Sequence, residues 1–285
     1  MRIGSKTLLI VFAGLVFAVG CTTAAPTPGA ISPTVAVLPA VTASPTATST
    51  SPAPIAPTET PTPTAVPATA TPDVPTEAVT FTTEDGVQIA ATLFGDGDLA
   101  VIMLHMGKGQ ATGNNQQDWH PLARRLAERG YTALALDFRG RGQSGGEFAN
   151  DPVVLDARAG LEFLCQRGFS RHVCLGAGVG GTTCMVLALT EQLEGLIVLS
   201  STLAAGPTNM VAETDLAKIS MPKLFIYGEN DAFGFPEAME GIYRQAAPPK
   251  ELVTCDSAAH GSDLLYGSCG EDIHQQIFTF IQDIE

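Results

Sequence analysis

Six short apolar runs punctuate the chain between residues 99 and 255: "LAVIMLH", "YTALALDF", "HVCLG", "GLIVLSS", "KLFIYG" and "ELVTC". None alternates cleanly between apolar and polar positions, as expected of parallel strands covered on both faces. The stretch before them is different. In "VTFTTEDGVQIAATLF", Asp85-Gly86 supplies a turn, and Val87, Ile89, Ala91 and Leu93 alternate with smaller or polar residues, which predicts a hairpin. Helical periodicity fills the gaps. "DPVVLDARAGLEFLCQRG" offers Asp151 as N-cap and Pro152 in the first turn, with Val154, Ala157, Leu161 and Leu164 on one face. "DWHPLARRLAERG", "GTTCMVLALTEQL", "PEAMEGIYRQA" and "EDIHQQIFTFIQDI" complete the set. A hairpin followed by strand–helix alternation predicts an α/β domain over residues 79–285. Its architecture is a doubly wound, mainly parallel eight-stranded sheet with an N-terminal β-hairpin.

Composition changes the picture upstream of residue 79. From Thr22 to Ala78 the chain is mostly Thr, Pro, Ala, Ser and Val, with Glu59, Asp73 and Glu77 as its only charges. Repeated Pro blocks helix and sheet, and so few large apolar groups do not offset the entropy of ordering. This segment reads as a tether, reaching roughly 40 Å as a coil and about 180 Å as extended polyproline. Before it, "MRIGSKTLLIVFAGLVFAVGC" has basic Arg2 and Lys6 and an apolar run from Leu8 to Val19. The run is short for a membrane span and reads as an export signal over residues 1–20. The ending "AVGC" resembles a bacterial lipobox, which implies acylation of Cys21. The domains expected are therefore a signal peptide (1–20), a lipidated Cys with its tether (21–78), and the folded domain (79–285). The location expected is extracytoplasmic, lipid-anchored to a bacterial cell membrane, with the bilayer as partner through Cys21.

The formal charge is −14, and no basic patch exists to neutralise phosphates, which argues against nucleic acid as a partner. No histidines have metal-ligand spacing, and no cofactor or metal is expected.

Function in a doubly wound sheet concentrates on loops beyond the carboxyl ends of strands. In order these loops carry "HMGKG", "DFRGRGQSGG", "GAGVGG", "SST", "GENDAF" and "DSAAHGS". The set resembles the capless, esterase- and serine-aminopeptidase-like α/β-hydrolase superfamily over nearly all of residues 79–285. The loop "DFRGRGQSGG" matches that family's D-x-R-G-x-G-x-S-x-G pattern. The resemblance implies a triad in the order nucleophile, acid, base. Asp231 matches the acid and His260 the base, while the backbones of Met106 and Val179 match the oxyanion-hole donors. His120, His172 and His274 read as structural or surface-placed.

The nucleophile position departs from the family. In "HVCLGAGVGG", Gly178 stands where the family's G-x-S-x-G carries serine. That turn is tight, and strain there costs about 1–3 kcal/mol for a residue with a side chain; glycine tolerates it. Among substitutes, Ser200 and Ser201 lie on the right edge of the sheet. Thr182 and Thr183 fall beyond the turn, Cys184 is expected to be buried, Ser144 belongs to the Gly-rich loop, and Ser257 and Ser262 flank the base. The sequence therefore suggests an α/β-hydrolase-fold protein with lost or strongly reduced Ser-hydrolase activity and a binding role toward an unknown small molecule. The alternative is an active ester or amide hydrolase using Asp231 and His260 with a bound water or a displaced serine.

Five cysteines follow Cys21, an odd number. Cys255 and Cys269 bracket the loop carrying His260 and form the expected disulfide. Cys165–Cys174 is a second candidate, and free buried thiols are the competing reading.

Overall fold

The two kinds of apolar pattern join into one sheet. The computed structural model describes residues 74–107 and 114–284; the export signal, Cys21 and nearly all of the tether lie outside the described residues. Strands β1 (Thr76–Thr82) and β2 (Gln88–Phe94) form the hairpin around Asp85-Gly86. Strands β3 (Leu99–Leu104), β4 (Thr132–Leu136), β5 (Arg171–Ala177), β6 (Gly195–Leu199), β7 (Lys223–Gly228) and β8 (Lys250–Cys255) follow. The order is β1-β2-β4-β3-β5-β6-β7-β8. The β1–β2 and β2–β4 pairings are antiparallel and the other five parallel.

Helices cover both faces, which is why the central strands are apolar throughout. On one face lie α2 (Val153–Gln166), α3 (Val179–Thr190) and α4 (Pro236–Gln245), burying Leu161, Leu164, Met185 and Ile242 against Ile102, Leu136 and Phe225. On the other lie α1 (His120–Ala127) and α5 (Gly270–Asp283), burying Leu122, Leu126, Ile277 and Ile281 against Val101, Met103 and Ile197. The stripe expected on α2 is buried as read, Val154, Ala157, Leu161 and Leu164 included.

Three details differ from the sequence reading. First, the fold begins before Val79. Val74 is buried, the Pro75 carbonyl accepts from the Gly95 N–H at 2.9 Å, and Glu77 pairs with Arg167 at 2.8 Å. The start of β1 looks like tether because Pro75, Thr76 and Glu77 carry no large apolar group; its pairing with β2 orders it.

Second, Asp151 does not cap α2. The residue before the helix is Pro152, without a side-chain cap. Asp151 Oδ1 instead accepts from the Thr208 and Asn209 N–H groups at 2.6 and 3.0 Å. Two donors from the β6–β7 connection outcompete the helix end for that carboxylate.

Third, Cys174 pairs with Cys184, and Cys165 is a free thiol. Cys174 on β5 and Cys184 on α3 face one another across the turn between them, with Cα atoms 5.5 Å apart. The Cys255–Cys269 bridge forms as expected, its Cα atoms 6.3 Å apart.

Candidate active site

The carboxyl edge of the sheet gathers the residues singled out in the sequence. β5 runs into α3 through Gly178, whose backbone lies at φ 53°, ψ −120°, a region that residues with side chains enter only under strain. The turn is closed by contact: a Cβ on Gly180 would lie 2.2 Å from the Leu104 carbonyl oxygen, and one on Gly176 would lie 2.3 Å from that of Gly180. Only glycine fits at both places. The Gly178 N–H donates to the Leu199 carbonyl at 3.0 Å, and its carbonyl accepts from Ser201 Oγ at 2.8 Å.

Asp231 follows β7 and His260 lies on the loop after β8. His260 Nδ1 donates to Asp231 Oδ2 at 2.8 Å, with both side chains buried. Burial pushes the Asp231 carboxyl up, but the bonds from His260 and from the Phe233 N–H (2.8 Å) hold it net below the usual range. The buried Ser200 hydroxyl, near this carboxylate, adds to that effect without reaching full hydrogen-bond geometry. An ionised acceptor at Nδ1 places a proton there and turns Nε2 outward as the reactive nitrogen.

Nε2 points at Gly178. A Cβ built on Gly178 would lie 3.3 Å from Nε2 and 3.1 Å from the Met106 Cβ. No hydroxyl or thiol among the described residues hydrogen-bonds to Nε2. Most of the displaced candidates are engaged elsewhere. Ser201 and Thr182 bond to each other at 3.1 Å and to backbone carbonyls, and Thr183 donates to the Val179 carbonyl. Ser144 Oγ braces Asp137 and Ala90, Ser257 Oγ accepts from the Ala259 N–H, and Cys184 is in a disulfide. Ser262 is fully buried, with no recorded partner for its hydroxyl.

Val179 opens α3, so its N–H has no intrahelical acceptor. The Met106 Cα stands 3.7 Å from the same Gly178 Cβ position. Both residues expected at the oxyanion position are thus brought to the mouth of the turn.

Sequence reasoning passed over three residues here. His105 is fully buried between the two loops: its Nδ1 donates to the Met106 carbonyl at 2.8 Å and its Nε2 accepts from the Phe138 N–H at 3.0 Å. Burial pushes its imidazole down to about 4, so it is a neutral brace. Its place at the end of an apolar run, before "MG", was the available signal. Phe233 and Phe235 flank the His260 ring, with centroids 4.7 and 5.0 Å away; both stand in the loop that carries Asp231.

A cleft of about 530 Å³ opens in front of Gly178 and His260, a volume typical of small-molecule sites. Phe148, Val179, Ala204, Ala205, Phe233 and Phe235 form its apolar walls, and among the described residues no Asp, Glu, Lys or Arg lines it. Among the described residues no group of His, Cys, Asp and Glu is arranged to hold a metal ion.

Comparison with known proteins supports the fold. Residues 98–211 match the family described as serine aminopeptidase, S33; the matched span contains Met106, Gly178 and Val179 and ends before Asp231 and His260. The chain is similar to YfhR of Escherichia coli (strain K12), 26% identical over 230 residues covering 72% of this chain and 80% of that one. It is 30% identical to a carboxylesterase of Bacillus subtilis (strain 168) over 107 residues, 36% of this chain and 42% of the other. Among solved structures, the Pyrococcus furiosus esterase Pf2001 superposes with a TM-score of 0.62 at 20% identity, over 74% of this chain and 90% of that one. By sheet order, turn geometry and these likenesses, the chain has the α/β-hydrolase fold.

Proposed function

We propose that this is a membrane-anchored, extracytoplasmic α/β-hydrolase-fold protein that binds a small molecule and has lost serine-dependent hydrolysis. One observation carries the reading: His260 Nε2 faces a residue without a side chain, across 3.3 Å from the place its Cβ would occupy. An acid, a base and oxyanion donors without a nucleophile can still bind and polarise a carbonyl. Residual catalysis from such parts amounts to roughly 10³–10⁴-fold over water, far below an intact triad.

The membrane anchor rests on Arg2, Lys6, the apolar run Leu8–Val19 and Cys21. The two disulfides support an oxidising, extracytoplasmic setting.

Three measurements test the reading. Wild type should resist labelling by a fluorophosphonate and leave a p-nitrophenyl ester untouched, whereas Gly178→Ser should label and hydrolyse. Labelling of wild type would overturn it. Turnover by wild type that disappears in His260→Ala would instead establish hydrolysis by a His260-activated water, the competing function. Metabolic labelling with an alkynyl fatty acid, lost in Cys21→Ser, tests the anchor.

A further inference from the structure

The missing side chain changes what the cleft can hold. In the free site His260 is 3% exposed and its Nε2 has no protein partner among the described residues, while Nδ1 is bonded to an ionised Asp231. Nε2 is therefore a proton acceptor aimed into the cleft. Across from it stand the N-terminus of α3, beginning with the Val179 N–H, and the backbone of Met106. A ligand group placed before Gly178 meets donors on one side and a proton acceptor on the other.

Different functional groups use these partners unequally. An ester carbonyl engages only the donors, and an alcohol has one oxygen to share between the two sides. A carboxylic acid uses both. One oxygen takes the backbone N–H groups, and the other shares its proton with Nε2, where the Asp231 carboxylate stabilises the resulting imidazolium. With serine at 178, the serine Oγ would occupy the place of that second oxygen. Phe148, Phe233, Phe235 and Val179 then enclose the remainder of the ligand, and among the described residues no charged wall calls for a second polar end.

We infer that the cleft is a binding site for an apolar monocarboxylic acid, its carboxyl group seated between Gly178 and His260. The inference rests on the absence of a nucleophile at 178 and names the ligand class for that same site. In the complex the ligand's carboxylate is paired with a His260 imidazolium; the proton on Nε2 comes from the acid itself or, when the ligand is added as its anion, from solvent, and no other bond forms or breaks.

Calorimetric titration of the full chain with octanoate, methyl octanoate and octanol tests this. Octanoate should bind at least about tenfold more tightly than the ester or the alcohol. Gly178→Ala, which places a methyl group 3.3 Å from Nε2, should abolish the preference, with its melting temperature confirming the fold. His260→Gln, which leaves the turn untouched but takes up no proton, should abolish it as well. Ester binding equal to acid binding, or an acid preference that survives His260→Gln, overturns the inference. Released octanoate is measured in the ester titration. Its appearance with wild type would overturn the loss of hydrolysis, whereas no release together with no acid preference would overturn the acid site alone.

Discussion

Cys174 and Cys184 are bonded to each other across the turn that carries Gly178, just as Cys255 and Cys269 are bonded across the loop that carries His260. Each bridge closes a short loop, 10 and 14 residues apart in sequence. Constraining loops of that size in the unfolded chain contributes about 3 kcal/mol each in the chain-entropy model. Replacing Cys255 and Cys269 together by Ala should lower the unfolding free energy by about that amount in urea titrations. A loss near zero would mean that the bridge adds no stability.

Gly178 occupies a backbone conformation that a side chain would strain. At φ 53°, ψ −120°, any side chain adds strain, and its Cβ would press within 3.1 Å of the Met106 Cβ. Gly178→Ser and Gly178→Ala should each destabilise by about 1–3 kcal/mol, read from denaturant midpoints at an unchanged slope. Only the serine variant should gain turnover of an activated ester. Equal stability of all three proteins would remove the strain argument.

The sheet was legible because parallel strands buried on both faces leave continuous apolar runs, and the residues at their ends fall on one edge whatever the helices do. Asp231, His260 and Gly178 could be placed on that ground together with the resemblance. What stayed hidden depended on partners distant in sequence. Asp151 has the position of a helix cap, and only the fold brings Thr208 and Asn209 to its carboxylate. Cys174 chose Cys184 over Cys165 because a tight turn, invisible in the spacing, folds the helix back on its own strand. His105 reads as one more strand end until Phe138 arrives at its Nε2.

The loop "DFRGRGQSGG" owes its residue types to bracing. Asp137 accepts from the Gln116 backbone and side-chain nitrogens and from the Gln143 N–H, each at 2.8 Å. Arg139 binds Asp156 at 2.8 Å and Asp85 of the hairpin turn at 2.6 Å. The Asp156 side chain is 0% exposed, so deleting its partner strands a buried charge, a loss of about 3–5 kcal/mol. Arg139→Met should show that loss by urea denaturation, and Arg139→Met with Asp156→Leu should recover much of it. Equal stability of the single and double variants would show that the Asp156 charge is not the cause.

Acid should loosen this protein through its buried histidines. Burial pushes His105 and His274 down from 6.5 to about 4. A base with a depressed folded-state pKa stays neutral in the fold while the unfolded chain takes up a proton. The stabilisation is therefore fully present above about pH 6.5 and lost as pH falls toward about 4. For fully buried His105 the span corresponds to roughly 3 kcal/mol. Unfolding free energies measured from pH 7.5 to 4 should fall steeply across this window. His105→Gln can still donate to the Met106 carbonyl and accept from the Phe138 N–H, but it does not titrate, so its profile should be distinctly flatter. An unchanged slope in that variant would mean that His105 takes up its proton without opening the link between the Met106 turn and the Asp137 loop.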